Sequence, residues 1–312
     1  MNVRDDPRWG YLLINLATLF WAGNIAVGRA LREAIAPVGM VAIRASIAAV
    51  VYALLLITLY RSQLQVGGRD DLRQWLLYLG MAISGVVVYP VMMYLALRYT
   101  TATHAALLNA TGPLVTMLLA ALLLKEPITA SLLGSGLVSL LGVGLIISNG
   151  DWRGLFKQGL NLGDGILLII IILWGLYSVW SRVATHRRSS LWVTGVSTWL
   201  ALPFLLPSAA WEWRTSPMTF TLPLVIASLY IGIFPTVISF LCWNEGIRRL
   251  GPNHAMAFYN TLALYGSLLG VLFLGEPFTW TLALGGVLVV GGGLIAAVSA
   301  GSPAPSEALA SD

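Results

Sequence analysis

The sequence predicts an all-α polytopic membrane protein, with ten transmembrane helices arranged as two five-helix inverted repeats around a central cavity. Three observations predict this class: an apolar composition, ten apolar runs of spanning length, and a repeat of residue identities about 150 positions apart. Of the 312 residues, 58% are hydrophobic and 10% are charged, against roughly 25% charged in an ordinary soluble domain. The composition therefore excludes a water-soluble globule.

The ten apolar runs are separated by short polar connections. Each run has about the 20 mostly apolar residues that a helix needs to cross the hydrocarbon core. In chain order the predicted spans are 10–30, 37–60, 74–97, 103–124, 131–149, 163–184, 191–210, 222–244, 254–274 and 279–300. They group into a first five-helix repeat at 1–150 and a second at 151–300. The Ser-, Pro- and Ala-rich tail at 301–312 is predicted to be disordered.

Charged residues and cysteine exclude several classes of function. The 18 basic residues are scattered between apolar runs instead of clustering on one face, so no nucleic-acid partner is expected. Cys242 is the only cysteine, which excludes an intrachain disulfide and a Cys-based metal cluster. If the N-terminus is cytoplasmic, 11 Lys and Arg lie in inner connections and 6 in outer ones. The positive-inside rule therefore predicts that both termini are cytoplasmic.

The internal repeat is the most informative pattern. A shift of 153 positions aligns Trp21 with Trp174 and Arg29 with Arg182. A shift of 150 aligns Arg98 with Arg248, His104 with His254, Thr111 with Thr261, Glu126 with Glu276, Pro127 with Pro277, Gly136 with Gly286 and Gly142 with Gly292. Because each copy holds five helices, an odd number, the second copy enters the membrane in the opposite orientation. Inverted repeats of this kind are typical of alternating-access transporters.

Several motifs carry a family resemblance. They are Phe20-Trp21-Ala22-Gly23-Asn24 in the first span, and Lys125-Glu126-Pro127 and Gly275-Glu276-Pro277 at the fourth-to-fifth and ninth-to-tenth junctions. With the five-plus-five repeat, they resemble the EamA-type members of the drug/metabolite transporter superfamily over nearly the whole chain. Within it the chain is most similar to the YddG-type aromatic amino-acid exporters. The resemblance implies an exporter in the bacterial cytoplasmic membrane, a small-molecule substrate, no cofactor, and a monomer or homodimer in the bilayer.

Polar and aromatic side chains deep in spans are the candidates for the substrate cavity, because they are costly in lipid unless they face a cavity or a partner. Ring faces suit an aromatic solute, and amides suit its ammonium and carboxylate groups. The predicted cavity residues are Trp21, Asn24, Tyr94, Asn109, Trp174, Tyr177, Trp243, Tyr259 and Asn260. The alternative is that the amides tie helices together and the rings fill the bundle, as we expect for Asn15.

Proline and glycine patterns predict where helices bend, stop and pack. Pro90, Pro113, Pro203 and Pro235 fall inside predicted spans, and the first, second and fourth are expected to act as hinges. The turns Glu126-Pro127 and Glu276-Pro277 are expected to end helices. Glycines in the fifth and tenth spans predict close packing of these two helices, against each other or a second protomer.

Titratable groups argue against an enzyme. His104 and His254 begin predicted spans, where solvation is expected rather than a proton relay, and no third and fourth ligands are spaced for zinc. All thirteen acids lie near span ends, in connections or in the termini, which favours movement down the solute gradient over carboxylate-based proton exchange. Arg44 is expected to extend its side chain to the interface.

Three alternatives stay open at this point. The solute could be another substrate of the superfamily, such as a drug, a quaternary amine or a nucleoside. A membrane-embedded enzyme would need a nucleophile, base or metal constellation at one depth, which three scattered histidines do not supply. A passive channel would show a ring of like groups and no alternating closure.

Overall fold

The protein is all-helical wherever the computed structural model describes it. The described residues are 7–31, 36–59, 70–96, 99, 108–156, 161–216, 221–274 and 277–299, and they contain no β-strand. Eight helical stretches are long and apolar enough to cross a bilayer, and the helix at Gly112–Leu124 is a shorter apolar one. The all-α, multi-pass membrane class is therefore confirmed. The tail at 301–312, predicted to be disordered, lies outside the described residues.

Fourteen α-helices follow one another along the described part of the chain. The first half holds α1 (Pro7–Leu31), α2 (Pro37–Leu59), α3 (Leu72–Met81), α4 (Tyr89–Ala96), α5 (Gly112–Leu124) and α6 (Ala130–Ser148). The second half holds α7 (Trp152–Phe156), α8 (Leu162–Arg187), α9 (Ser190–Thr215), α10 (Leu222–Ile231), α11 (Ser239–Leu250), α12 (Pro252–Ala257), α13 (Thr261–Leu274) and α14 (Trp280–Ser299).

Polar side chains set the starts of several helices. The oxygens of Asp71, Thr129, Ser189 and Thr221 each accept a backbone N–H three residues ahead, at the starts of α3, α6, α9 and α10. Such caps satisfy N–H groups that have no partner within the helix. At the other end of α5, Lys125 adopts a left-handed conformation with φ of 56° directly before Glu126-Pro127. The predicted end of a helix at this dipeptide is confirmed.

Two helical stretches each contain a π-helical segment. Ala82–Val88 joins α3 to α4, and Gly232–Ile238 joins α10 to α11. In a π-helix the backbone bond runs from residue i to i+5, which is rare and is found most often at functional sites. Pro235 lies inside the second segment, and Pro90 is the second residue after the first. The sequence predicted plain helices here.

Two predicted spans are broken instead of continuous. The predicted span 254–274 consists of α12 and α13, separated by a turn at residues 258–260 in which backbone N–H groups bond three residues back. Within the predicted span 103–124, helix α5 starts only at Gly112, after a turn at Ala110 and Thr111. Pro113 was expected to kink a helix interior, and this prediction was wrong: it lies in the first turn of α5, where a missing N–H costs nothing.

Helices α6 and α14 pack backbone to backbone. A Cβ added at Gly142 would lie 2.7 Å from the Gly285 carbonyl oxygen, and one at Gly292 would lie 2.6 Å from the Ser135 carbonyl oxygen. Side chains larger than hydrogen therefore do not fit, as in other close pairs of membrane helices. The predicted packing of the fifth and tenth spans against each other is confirmed within one chain.

Candidate functional site

An aromatic cluster built from four helices and one turn occupies the interior of the bundle. Trp21 of α1 contacts Trp174 of α8 and Trp243 of α11, both with ring centroids 5.3 Å away. Trp174 stacks on Tyr177, one turn further along α8, at 5.0 Å and 8°. The other members are Tyr89, Phe240 and Tyr259, each within 6.3 Å of the Trp174 centroid. Five of the nine predicted cavity residues thus meet in one cluster.

The three indole groups of this aromatic cluster differ in their hydrogen bonds. Trp21 Nε1 donates to the carbonyl of Pro235 at 2.9 Å, inside the second π-helical segment. Trp174 and Trp243 are 3% and 0% exposed, and their Nε1 atoms have no acceptor. An indole N–H is a donor only, and leaving it buried without an acceptor is costly. The cluster therefore has two unused donors.

The turn before α5 and the turn before α13 meet beside the aromatic cluster. The Asn260 amide donates to the carbonyl of Ala110 at 3.2 Å, so the turn before α13 contacts the turn before α5. Tyr259, in the same turn as Asn260, shares a 3.1 Å hydrogen bond with the hydroxyl of Tyr89. Interrupted helices expose backbone groups that can bind solute, and transporters place them at the substrate site.

A buried polar network borders the aromatic cluster on one side. The Asn244 amide donates to the Tyr177 hydroxyl at 2.9 Å and to Thr194 at 2.8 Å, and its oxygen accepts from Ser181 at 2.7 Å. Both amide hydrogens of Asn244 and one lone pair of its oxygen are thereby used, which holds Tyr177 in place. Sequence reasoning missed Asn244, although an amide within an apolar run was a usable signal.

The remaining predicted cavity residues stand apart from the aromatic rings. Asn24 is half-buried, with its Oδ1 atom buried and without a donor. Asn109 is half-buried beside the turn at Ala110. Tyr94 belongs to α4, but its side chain lies outside the described residues. Asn15 accepts from the Tyr265 hydroxyl at 2.9 Å and so joins α1 to α13, as expected.

The predicted turn residues occupy connections at the ends of helices. Glu126 is half-buried and accepts from the Asn253 amide at 2.8 Å, and burial raises the pKa of its carboxyl group. Pro127 and Pro277 are exposed. Glu276 and His104 lie outside the described residues. No group of three His, Cys, Asp or Glu among the described residues is placed to hold a metal ion.

Arg44 does not extend to an interface, and this prediction was wrong. Its side chain is 8% exposed and lines a small cavity beside the aromatic cluster. Helices α2, α9 and α11 and both π-helical segments line this cavity, so the Arg44 side chain lies within the bundle. Packing of the α2 face against α9 made this orientation possible, which hydropathy alone does not report.

Ion pairs join helices at one end of the bundle. Asp70 accepts from Arg188 Nε at 2.8 Å, and Asp71 from Arg187 at 3.2 Å, which links the start of α3 to the end of α8. The backbone N–H of Gln74, and after it Arg187, hold the pKa of Asp71 below its usual value. Glu245 of α11 accepts from Ser190 of α9 at 2.8 Å. We call this set of contacts the ion-pair end.

The fold and this interior site define a helical transport protein of the membrane, and the comparison with protein families agrees. The model of the EamA-like transporter family matches residues 8–148 and again residues 161–298. The chain therefore belongs to the EamA-like transporter family.

Individual relatives are distant. An uncharacterized transporter of Archaeoglobus fulgidus is 26% identical, with 70% of this chain and 75% of that protein covered. The uncharacterized transporter YetK of Bacillus subtilis is 23% identical over 94% of this chain and 88% of its own. A probable terminal-alkyne amino-acid exporter of Streptantibioticus cattleyicolor is 24% identical, with 67% and 68% covered. One crystal structure superposes with a TM-score of 0.74 at 22% identity, covering 93% of this chain and 97% of the other, and shows the shared fold.

Proposed function

We propose that this protein exports small amphipathic metabolites, chiefly aromatic and other neutral amino acids, across the bacterial inner membrane by alternating access through a central cavity. The observation that carries the proposal is the aromatic cluster with the two unpaired indole N–H groups of Trp174 and Trp243. Ring faces with spare donors suit a solute that combines an apolar body with oxygen acceptors. One distant relative is named as an amino-acid exporter, which supports the same solute class.

Two inverted five-helix halves are part of the proposal. The π-helical segments at Ala82–Val88 and Gly232–Ile238 occupy corresponding positions of the two halves, and so do α6 and α14. The family model also matches the chain twice, once in each half. This recurrence supports ten spans related by a pseudo-two-fold axis, with both termini in the cytoplasm.

Closure at one end supports alternating access over a passive channel. In the described structure the ring of Trp174 contacts those of Tyr177, Trp243 and Tyr259, and all four residues are at most 4% exposed. The ion-pair end adds a second closure between α3 and α8. We interpret this arrangement as a state in which the cavity is collapsed, and which must open for solute to enter.

The test is counterflow uptake into liposomes containing the purified protein. Liposomes are preloaded in turn with unlabelled phenylalanine, tryptophan, threonine, choline and a nucleoside. The same solute is then added outside in labelled form, and its accumulation inside the liposomes is followed. Trp174→Ala should abolish accumulation, whereas Trp211→Ala is the matched control because Trp211 is 71% exposed. Accumulation confined to choline or the nucleoside contradicts the proposed solute class.

Energy coupling has its own test in the same liposomes. We propose movement down the solute gradient, because the acidic residues among the described side chains lie in connections or within two turns of the end of a helical stretch. An imposed pH gradient with the membrane potential clamped should therefore leave the rate unchanged. A rate that follows the pH gradient contradicts this part of the proposal.

A further inference from the structure

A cavity about 10 Å³ in volume lies beside the aromatic cluster, with room for about one water molecule. Its lining is formed by Val41, Arg44, Ala45, Val86, Thr198, Thr236 and Phe240. Arg44 is the only charged side chain in this lining. The cavity therefore combines apolar walls with one fixed positive charge.

Arg44 is in an unusual place for a cation. It lies about 10 Å along α2 from the first residue of that helix, at 1.5 Å per residue, and its side chain is 8% exposed. Removing a guanidinium from water costs several kcal/mol. A basic residue held inside a membrane protein at such a cost marks a functional site unless its role is purely structural.

The cavity adjoins the aromatic cluster through Phe240. This ring lines the cavity and also packs against Trp21 at 5.7 Å and against Trp174 at 5.9 Å. The Phe240 ring therefore lies against both the cavity that Arg44 lines and the tryptophan rings.

The two hydroxyl groups of the lining present acceptors, which suit the guanidinium of Arg44 or an ammonium group of the solute. Thr198 and Thr236 donate their hydroxyl hydrogens to carbonyls of their own helices, at 2.8 and 2.7 Å, so each presents acceptor lone pairs to the cavity. Such oxygens can hold the guanidinium in place or accept from an ammonium group. The unpaired indole N–H groups of Trp174 and Trp243 are further donors that can bind an anionic oxygen of the solute.

We propose that Arg44 is the anion-binding residue of the substrate site: it binds the carboxylate of the transported solute while the apolar part lies among the aromatic rings. The inference rests on the proposed function and narrows the solute class to carboxylates with an apolar or aromatic body. A guanidinium suits this role because its two parallel N–H groups match the two oxygens of a carboxylate. In the closed state the cavity is collapsed, and opening of α2 from α9 and α11 admits the carboxylate.

The test measures half-saturation for phenylalanine and for phenethylamine, which lacks the carboxylate, in proteoliposomes. Arg44→Gln should raise half-saturation for phenylalanine about tenfold or more, the equivalent of one charge-assisted hydrogen bond, and leave phenethylamine unaffected. Arg44→Lys, which keeps the charge without the fork, should fall between. Arg214→Gln is the matched control because Arg214 is exposed at the end of α9. Unchanged phenylalanine half-saturation in folded Arg44→Gln overturns the proposal, and so does an equal loss for both solutes.

A second measurement uses the unmodified protein, in case Arg44→Gln does not fold. Quenching of tryptophan fluorescence reports ligand binding in detergent, with 3-phenylpropionate and phenethylamine as probes. Binding of 3-phenylpropionate at least about tenfold tighter supports the anion site, and equal or reversed preference overturns it. If 3-phenylpropionate binds but no amino acid is transported, the amino-acid function fails and the anion site stands. If Arg44→Gln transports phenylalanine as well as the unmodified protein does, the anion site fails and the amino-acid function stands.

Discussion

The side-chain amide of Asn260 donates to the backbone carbonyl of Ala110, and these two residues are 150 positions apart, the separation of the internal repeat. Each belongs to the turn that precedes an apolar helix, α13 for Asn260 and α5 for Ala110. The bond therefore ties the turn before α13 directly to the turn before α5. Movement of α13 relative to α5 must stretch or break it.

The first prediction concerns this bond. Asn260→Ala should lower the free energy of unfolding by about 1–3 kcal/mol, because it leaves a buried carbonyl without its donor, and it should also slow counterflow. Asn15→Ala is the control, since the Asn15 amide joins α1 to α13 away from both interruptions. The measurements are the thermal midpoint in detergent and the counterflow rate per folded protein. Equal effects of both variants on the rate would count against a role of the interruptions in transport.

The sequence predicted the membrane class and much of the aromatic cluster, because both depend on composition and periodicity. Trp21 and Trp174 were predicted as repeat mates, and their rings are in contact. The helix interruptions were not predicted, because a hydropathy window averages over two or three turn residues. Pro113 shows the reason, because a proline in the sequence is compatible with both a kink and the start of a helix. The turn before α5 is bonded to Asn260 through the Ala110 carbonyl, and the sequence does not report this contact between distant segments.

Contacts between distant helices explain the rest of what the sequence did not show. Whether Arg44 reaches an interface or a cavity depends on which face of α2 packs on α9, and residue spacing along α2 is compatible with both. Asn244 is similar, because its three partners come from α8 and α9. Each π-helical segment has one more residue per turn than an α-helix, and the hydropathy pattern does not predict this. Such features are fixed by packing across the bundle.

The second prediction separates two tryptophans that the repeat makes equivalent. Trp21→Phe removes the 2.9 Å bond to the Pro235 carbonyl and should lower the free energy of unfolding by about 1 kcal/mol. Trp174→Phe removes no hydrogen bond of the folded protein, so its stability should change less. It should instead weaken solute binding, because the indole N–H is a spare donor. Thermal midpoints and half-saturation values check both, and the opposite pattern would mean that the Trp174 N–H has no ligand role.

The third prediction concerns the contact between α6 and α14. Gly142→Leu and Gly292→Leu should prevent folding or lower the thermal midpoint strongly, because the added atoms meet backbone that cannot move aside. Gly134→Leu and Gly291→Leu are matched controls in the same two helices, since a Cβ there meets nothing within 4 Å. Elution profiles and midpoints in detergent test this. Tolerance of leucine at Gly142 would contradict the close packing.

The fourth prediction concerns the ion-pair end. Asp70→Asn should favour opening there, because Asp70 has a side chain 8% exposed and also accepts from Trp192 Nε1 at 3.3 Å. Asp71→Asn is the matched control: the side chains of Asp71 and Arg187 are 55% and 62% exposed, and exposed pairs contribute little. Labelling of Ser178→Cys, in a Cys242→Ala background, by an impermeant maleimide should rise with Asp70→Asn only. Equal labelling in both variants would exclude Asp70 from closure.

The fifth prediction follows from Glu126, which is half-buried at the junction of α5 and α6 and whose pKa burial raises above its ordinary value of 4.5. Between the ordinary and the raised value, the folded chain binds this proton more readily than the unfolded chain, so stability falls as pH rises through that window. The lowered pKa of Asp71 does not act there, because its contribution is lost only below its ordinary value of 3.8. Glu126→Gln keeps an acceptor for the Asn253 amide and does not titrate. The thermal midpoint of the native protein relative to Glu126→Gln should therefore rise as pH falls from 7 toward 4.5. A difference independent of pH would mean that Glu126 is solvated in the folded protein.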